Sequence, residues 1–562
     1  MKNSFSSNPR VRIDDLAFTY IDDPELEAFL HHEIEKWWNV VDWNVAKEEI
    51  INRVRGILLS TENAAIAWCG WSVQAREMFN EIIELFASED VEWYLLSNET
   101  EAEADVSAEK TPIKRTSLDT WKAENFLLTI NVERHCPEIF HSRQASYDAA
   151  FLSPFTDEKC AARMWESSLG AMEEFLKKLS NDLETNKVII FIALRHGNFP
   201  SIEHIAKGLR SVPNIKVYGV YLESDIPDGV YDNSFTCHCS LALLAEILDC
   251  LPPLVVYLQA HASWAYLSQF IKIINNQLKV VQEVYDWMGA FITDEKLFVQ
   301  EGAFSTQQIG VIRKAEDYIC NHLHGYLYKD NGAWMKKRVK ESHTPALKIY
   351  PCPSSGYLHK PTAPQSDSPI KLVYAGQISH RHQSQRIFGD MYYMPVIKDL
   401  TNQGFHLTIY NALHHSRKYP AELYKEYYSE AKISPLFEFK KGIPMPEIID
   451  ELNGKYHYGL IAYYFEDDLG VGMNHLKGTM ASKLFTYLSA GLPVIVSEQF
   501  EYMAEIVSGE GIGLVVSRND LQGLTNLLSH VKYKEVLENV RYAQKKYSMD
   551  MQIPKLKKML GV

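Results

Sequence analysis

Two consecutive stretches of this chain repeat one alternation of apolar strands with helices. In the first stretch, strand patterns fall at 188–194, 215–221, 253–258, 278–284, 316–321 and 347–350. In the second, they fall at 371–375, 405–410, 436–440, 458–463, 493–497 and 514–517. Helical patterns lie between them, and this alternation is typical of parallel, doubly wound sheets. The sequence therefore predicts two Rossmann-like α/β domains.

The segment between the two stretches has the composition of a linker. Residues 351–369 are dense in Pro and Ser and low in apolar side chains, which predicts an interdomain hinge. Ligands of open α/β sheets bind at the carboxyl ends of the strands. A ligand site is therefore expected in a cleft between the domains.

The chain before these domains predicts an additional α/β region. It has a helical pattern within 1–60, strands at 64–68 and 91–96, and helices at 74–88 and 159–183; the charged stretch 101–115 reads as an exposed loop. We expect an accessory region at 1–185, a first Rossmann-like domain at 186–365, a second Rossmann-like domain at 366–530 and a basic helix or tail at 531–562. The tail predicts a solvated helix face, a helix docked on an acidic partner domain, or peripheral membrane contact. An oligomeric partner is an alternative role for residues 1–185.

Charge and cysteine usage exclude several classes. The formal net charge is −15, which disfavours general nucleic-acid binding, because phosphate contacts require clustered Lys and Arg. The N-terminus lacks an apolar signal region, and no stretch of eighteen apolar residues occurs. The eight cysteines are scattered, and the fragment Cys237-His238-Cys239 has no second ligand pair at zinc spacing. These features predict a cytoplasmic protein, with the inner face of the membrane as an alternative location.

The most informative segment leads into a helix near residue 482. The small residues Gly478, Thr479 and Ala481 precede it, and Lys483 lies in its first turn. A helix N-terminus attracts anions, and a cation there opposes the macrodipole by a few tenths to about 1 kcal/mol. A bound diphosphate would explain the lysine. The alternative is an ordinary helix start with a solvent-facing lysine.

Residues 483–497 (KLFTYLSAGLPVIVS) resemble the signature helix and strand of the retaining GT-B glycosyltransferases of group 1 type. Residues 373–378 (VYAGQI), 439–443 (FKKGI) and 504–513 match other pieces of the pattern in order. The resemblance covers 371–520 well and 187–350 loosely. It implies transfer of a hexose from a nucleotide-diphosphate sugar to a glycan, lipid-linked or protein acceptor. It also implies retention of configuration, with neither metal nor cofactor.

The resemblance further implies a set of donor-binding residues, with two departures from the family pattern. The family carries an acidic residue for the ribose where this chain has Thr486, so Glu498 and Glu505 are candidate replacements. The family places a diphosphate-binding Arg in the glycine turn, where this chain has a glutamine. The expected donor residues are Gly376, Gln377, Arg381, Arg386, Ser482, Lys483, Thr486, Glu498 and Glu505.

The first α/β stretch is expected to contribute the acceptor side. Arg195, His196, Gly197 and Asn198 follow its first strand. His261 and Asp286 follow two later strands and are the catalytic candidates; a packed histidine and a capping aspartate are the alternatives. The carboxylates at 466–468 read as a solvated acidic loop rather than a metal site.

Two other functions remain open from the sequence. A nucleotide-sugar epimerase or hydrolase could share the two-domain plan, because fold does not fix function. A non-catalytic assembly partner is also compatible, given Thr486 in place of the acidic residue. The base, the sugar, the acceptor and the anomeric outcome are not determined.

Overall fold

The computed structural model describes residues 11–38, 43–58, 64–69, 73–87, 91–97, 113–117, 128–131, 151–152, 158–194, 201–222, 229–365, 369–412, 421–465 and 469–562. Within these residues, the strands form three parallel sheets. The predicted class, two Rossmann-like domains after an additional α/β region, is confirmed.

The first sheet belongs to the N-terminal region. Its strands are β1 (Ala64–Cys69), β2 (Val91–Ser97), β3 (Ile113–Ser117), β4 (Leu128–Asn131) and β5 (Phe151–Leu152), in the order β3-β2-β1-β4-β5. The helices described here are Pro24–Glu35, Trp43–Leu58, Val73–Leu85 and Glu158–Leu183, with a 3-10 turn at Ile13–Asp15. The prediction of an exposed loop at 101–115 is wrong for residues 113–115, because β3 pairs with β2; the rest of that loop lies outside the described residues. Lys and Arg are common on edge strands such as β3, which gives them the composition of a loop.

This region packs directly on the domain that follows. The backbone N–H of Leu241 donates to the carbonyl of Trp37 over 2.6 Å, and the Ser240 hydroxyl donates to the carbonyl of Trp38 over 2.7 Å. A Cβ on Gly310 would lie 2.8 Å from the side chain of Leu26. The N-terminal helices therefore share a hydrophobic core with the second sheet.

The second sheet has the order β12-β11-β10-β9-β6-β7-β8. Its strands are β6 (Lys187–Ala193), β7 (Ile215–Tyr221), β8 (Asn233–Thr236), β9 (Val255–Gln259), β10 (Lys279–Glu283), β11 (Gly325–Tyr328) and β12 (Ala346–Lys348). Its helices are Ser201–Arg210, Leu241–Cys250, Leu267–Ile274, Met288–Phe291, Glu295–Gln300, Thr306–His322 and Ala333–Glu341, with a 3-10 turn at Ala262–Trp264.

The strand predicted at 316–321 is wrong, because these residues lie in the helix Thr306–His322. Ser305 begins that helix with a capping box to Gln308, which satisfies otherwise unpaired backbone groups. The apolar side chains of 316–321 are the buried face of the helix. The strand of this part of the sheet is β11, which is only four residues long.

The third sheet has the order β15-β14-β13-β16-β17-β18. Its strands are β13 (Lys371–Gly376), β14 (His406–Asn411), β15 (Phe437–Lys441), β16 (Tyr458–Ile461), β17 (Val494–Ser497) and β18 (Gly513–Val516). The helices around it are Gln385–Phe388, Met394–Asn402, Lys425–Ile433, Glu447–Leu452, Met473–Gly478, Ser482–Ser489, Glu501–Gly509, Arg518–Gln522, Leu524–Ser529 and Tyr533–Lys546. Short 3-10 turns lie at Gly389–Met391 and Ala421–Tyr424.

The end of the chain returns to the second sheet. The helix Ile553–Leu560 buries its apolar face against that sheet's helical layer, and a Cβ on Gly208 would lie 2.5 Å from Ile553. The returning chain, with a 3-10 turn at Met549–Met551, runs beside the outgoing linker, whose own 3-10 turn is Ser355–Tyr357. The Met549 N–H donates to the Pro353 carbonyl over 3.0 Å. The two domains are thus joined by two adjacent chain crossings.

The Tyr487 side chain links the end of β13 to the neighbouring strand β16 by hydrogen bonds. Its buried hydroxyl accepts the N–H of Ala375 over 2.8 Å and donates to the carbonyl of Leu460 over 3.1 Å. Tyr487→Phe is expected to lower the free energy of unfolding by about 1–3 kcal/mol, because a buried N–H loses its acceptor. Urea denaturation measures this. The matched control Tyr542→Phe, at a side chain that is 69% exposed, should change it by less than about 0.5 kcal/mol. Equal effects of the two variants would contradict the assignment.

Candidate active site

The carboxyl ends of the second sheet face the loop that precedes the helix Ser482–Ser489. The Asn331 N–H donates to the Gly478 carbonyl over 2.9 Å. A Cβ on Gly478 would overlap the backbone of Gly332, and Ile292 and Val471 form an isolated antiparallel bridge. The two domains therefore touch along one side of the predicted cleft.

On the donor side, the structure brings together Gly376 and Lys483. Gly376 ends β13, and a Cβ there would lie 2.8 Å from Cδ of Lys483. The Lys483 ammonium lies 5.2 Å from the ring centre of Tyr374 and 5.9 Å from that of Tyr463. No hydrogen bond or ion pair to this ammonium occurs among the described residues. A half-buried cation thus lies at the carboxyl end of β13, close to the rings of Tyr374 and Tyr463.

Asp390 is the acidic side chain whose charge acts on this ammonium. It lies in the turn Gly389–Met391 and is half-buried. Burial raises the pKa of Asp390 to about 6, although hydrogen bonds from the backbone and the charge of Lys483 act to lower it. The local field at Lys483 therefore changes between pH 5 and 7.

The three candidate ribose-binding residues do not form one cluster. The Thr486 hydroxyl donates to the Ser482 carbonyl one turn earlier, over 3.2 Å. Glu498 is exposed at the turn after β17. Glu505 is exposed on the helix Glu501–Gly509, near Lys348 of the second sheet. Thr486 already has a partner within its own helix.

The residues after β13 have partners of their own. The Gln377 carbonyl accepts the Tyr374 hydroxyl over 2.6 Å. Arg381 has an exposed side chain, and its backbone N–H donates to the carboxylate of Glu426. The Arg386 guanidinium lies 3.7 Å from the carboxylate of Glu301, in the other domain. Arg386 thus takes part in an interdomain ion pair.

On the acceptor side, Asp286 pairs with a lysine that the sequence analysis missed. The Lys329 ammonium, at the end of β11, lies 2.9 Å from the Asp286 carboxylate and 3.1 Å from that of Asp330. Burial acts to raise the pKa of Asp286, but Lys329, His475 and His261 outweigh it and hold that pKa at about 2. The side chain remains 38% exposed to the cleft. Asp286 is therefore a partly exposed carboxylate that is ionised at neutral pH.

His261 follows β9 and lies close enough to Asp286 for their charges to interact. Burial lowers the pKa of His261 below its ordinary value; Asp286 opposes this and Lys329 adds to it. At neutral pH the imidazole is therefore uncharged. The next residue, Ala262, has a φ of +50°, a strained conformation for a residue with a Cβ.

Polar contacts connect the two sides of the cleft. The side chains of Tyr285 and Ser482 are hydrogen-bonded. The Met480 N–H donates to Asp330 over 3.0 Å, and the Lys329 ammonium lies 3.5 Å from the Thr479 hydroxyl. Sequence reasoning missed Tyr285, Lys329, Asp330 and His475. The polar run 329–332 (KDNG) after an aromatic strand was the available signal.

Several predictions fall outside these contacts. Arg195, His196, Gly197 and Asn198, and the carboxylates at 466–468, lie outside the described residues. The fragment 237–239 is described, and Cys237 is buried. In the described ranges, no three or more His, Cys, Asp or Glu side chains form a group able to hold a metal ion. None of the helices described combines the length and apolarity needed to cross a membrane.

Residues 401–556 match the family model described as the C-terminal domain of glucosyltransferase 3-like proteins. This chain is a glycosyltransferase. The matched segment contains the helix Ser482–Ser489 and Lys483, and it extends into the returning C-terminal helix. The glycosyltransferase matches no curated protein sequence significantly.

Three solved structures illustrate what this glycosyltransferase is similar to. HepE from Anabaena, in complex with UDP and glucose, is 10% identical, with a TM-score of 0.48 over 67% of this chain and 100% of that chain. Sucrose-phosphate synthase from Thermosynechococcus elongatus is 13% identical, with a TM-score of 0.45 over 67% of this chain and 99% of that chain. An O-GlcNAc transferase from Thermobaculum terrenum is 10% identical, with a TM-score of 0.41 over 67% and 68%.

Proposed function

We propose that this glycosyltransferase moves a glucosyl residue from a nucleoside-diphosphate glucose to a glycan, lipid-linked or protein acceptor. The observation that carries the proposal is the Lys483 ammonium, which lies over Gly376 and makes no hydrogen bond or ion pair among the described residues. The family description of residues 401–556 supports glucose as the sugar.

The proposed donor site stabilises the charge of the leaving group. When the glycosidic bond of the donor breaks, negative charge develops on the nucleoside diphosphate. Lys483 and the first N–H groups of the helix Ser482–Ser489 provide positive charge at that point. Gly376 keeps space open above β13, where a side chain would displace the lysine. With this cation supplied by the chain itself, we propose that the transfer needs no metal ion.

The proposed acceptor side contains two groups with different protonation states. Asp286 is ionised and suited to accept hydrogen bonds from sugar hydroxyls, but a pKa near 2 makes it a poor general base at neutral pH. His261 is uncharged and can accept a proton from the acceptor hydroxyl. Retention of configuration is proposed from the resemblance of 483–497 to retaining enzymes, and NMR of the product linkage tests it.

A thermal-shift panel tests the donor site. We expect one of UDP, GDP and ADP, and its glucose conjugate, to raise the melting temperature in the presence of EDTA. A ligand that binds only the folded protein stabilises it by about 2.7 kcal/mol at a hundredfold excess over Kd. The absence of a shift with every member of the panel would contradict the proposal.

Product analysis separates transfer from epimerisation. A transferase releases the nucleoside diphosphate, whereas an epimerase leaves the sugar nucleotide intact. We take UDP-glucose as the example of the donor here and below. Release of UDP, measured by anion-exchange chromatography, should increase when a suitable acceptor is added. Interconversion of sugar nucleotides without such release would favour the epimerase.

A further inference from the structure

Lys329 is a buried cation held between two carboxylates at the contact of the two domains. Its side chain is 5% exposed, and its ammonium lies 2.9 Å from Asp286 and 3.1 Å from Asp330. The ammonium also lies 4.7 Å from the ring centre of Tyr285. A buried ammonium is strongly destabilising unless it is paired, so this geometry is held only while both carboxylates stay in place.

Each of the two carboxylate partners of Lys329 connects it to a different part of the site. Asp286 faces the cleft and is accessible from it. Asp330 accepts the N–H of Met480, in the donor-side loop 478–482 that leads into the helix Ser482–Ser489. The same loop approaches Lys329 directly through the hydroxyl of Thr479. Lys329 therefore lies on a continuous polar connection between the donor loop and Asp286.

We propose that Lys329 is a positioning residue, which holds the Asp286 carboxylate in place in the cleft while the donor loop 478–482 is docked on the second sheet. This inference rests on the proposed function of the cleft. Lys329 itself is covered by its partners and acts through Asp286.

The electrostatics around Asp286 set the sign of the expected effect. The titratable groups that face it are Lys329 from β11, His261 from β9, His475 from the helix Met473–Gly478, and its neighbours Tyr285 and Asp330. Burial acts to raise the pKa of Asp286, and Lys329 is the largest of the opposing influences. Without the ammonium, the Asp286 carboxylate takes up a proton at a higher pH.

Lys329→Met is therefore expected to add an acid limb to the pH profile of kcat. An opposite charge at this distance lowers a carboxylate pKa by about 1–3 units, so its removal moves the Asp286 titration from about pH 2 into the range of about 3–5 or above. The rate of UDP release from UDP-glucose should fall as the pH drops through the new pKa. The wild type should show no Asp286 limb between about pH 3 and 5, which is the range to compare, and kcat should change more than KM for the donor.

Three further variants make the assignment specific. Lys329→Arg keeps the charge and should restore the wild-type profile, and Asp330→Asn keeps the Lys329–Asp286 pair and should not acquire the limb. In Lys329→Met combined with Asp286→Asn, the limb should disappear, because the titrating group is gone. If Lys329→Met does not fold, Lys329→Gln, which still donates hydrogen bonds, provides the same measurement.

The possible results separate this inference from the proposed function. If UDP raises the melting temperature of the folded wild type and the pH profile of Lys329→Met or Lys329→Gln equals that of the wild type, the positioning role is wrong. Persistence after Asp286→Asn of the limb that Lys329→Met adds would also overturn it; the acid limb of His261 itself is common to the wild type and the variants. Failure of every nucleotide to bind the wild type would instead contradict the donor site itself.

Discussion

Lys483→Ala is expected to weaken UDP-glucose binding about 10- to 150-fold and to lower kcat by a factor of about 10²–10³. The loss of binding corresponds to a charged hydrogen bond, which contributes about 1.5–3 kcal/mol. The loss of kcat corresponds to removal of one preorganised group that stabilises developing negative charge. Both follow from the position of the ammonium over Gly376. Calorimetric titration and steady-state kinetics measure the two effects separately.

A nearby lysine provides the matched control for this substitution. Lys477 lies six residues before Lys483, on the helix Met473–Gly478. Its ammonium pairs with the carboxylate of Glu501 over 2.8 Å on the surface. Lys477→Ala removes the same charge and should leave UDP-glucose binding within about threefold, because exposed ion pairs contribute little. Equal losses in the two variants would show that Lys483 acts only through the net charge of the region.

Gly478→Val is expected to lower kcat by at least about 10²-fold while UDP still binds. A Cβ at Gly478 would overlap the backbone nitrogen and Cα of Gly332, so the donor loop has to move away from the second sheet. Displacement of reacting groups by about 1 Å already costs about 10²-fold in rate. Lys483 and Gly376 belong to one domain, so their contact with the diphosphate should persist.

Small-angle scattering and a second glycine variant test this explanation. Opening of the cleft should increase the radius of gyration of Gly478→Val relative to the wild type. Gly509→Val adds the same side chain at the end of the helix Glu501–Gly509, where a Cβ would meet no atom within 4 Å, and it should change neither rate nor scattering. Full activity of Gly478→Val would show that the contact with Gly332 is dispensable.

The sequence predicts those features that depend on local pattern. Continuous apolar runs with helical patterns between them define the second and third sheets, because parallel strands are buried on both faces. The proximity of Gly376 and Lys483 follows from the same logic, since one ends β13 and the other begins a helix at the same edge of the sheet. Thr486 could be identified by its place in the pattern, but its bond to the Ser482 carbonyl required coordinates.

Lys329 could not be identified because its strand was misplaced. Residues 316–321 contain buried aromatic and aliphatic side chains, which a strand and the buried face of a helix share. The strand β11 has four residues and begins with glycine, so its pattern is weak. With β11 unrecognised, Lys329 did not fall at the carboxyl end of a predicted strand.

Contacts between the domains are beyond sequence patterns altogether. Arg386 has the residue type and position of a diphosphate ligand, yet its guanidinium lies beside Glu301 of the other domain. The Met480–Asp330 hydrogen bond joins residues 150 positions apart. Such pairs are set by how two separately folded units meet, and periodicity within either unit carries no information about it.

The paired chain crossings between the domains have a mechanical consequence. The linker and the returning chain run side by side and are joined by the Met549–Pro353 hydrogen bond. The Gln552 side chain adds two hydrogen bonds to the backbone of Tyr350. A body attached at a single point can swivel in any direction, but attachment at two neighbouring points leaves easy rotation only about the line through them. Any relative rotation of the two domains is therefore restricted mainly to the line through the two crossings, which limits the mutual positions that Lys483 and Asp286 can take.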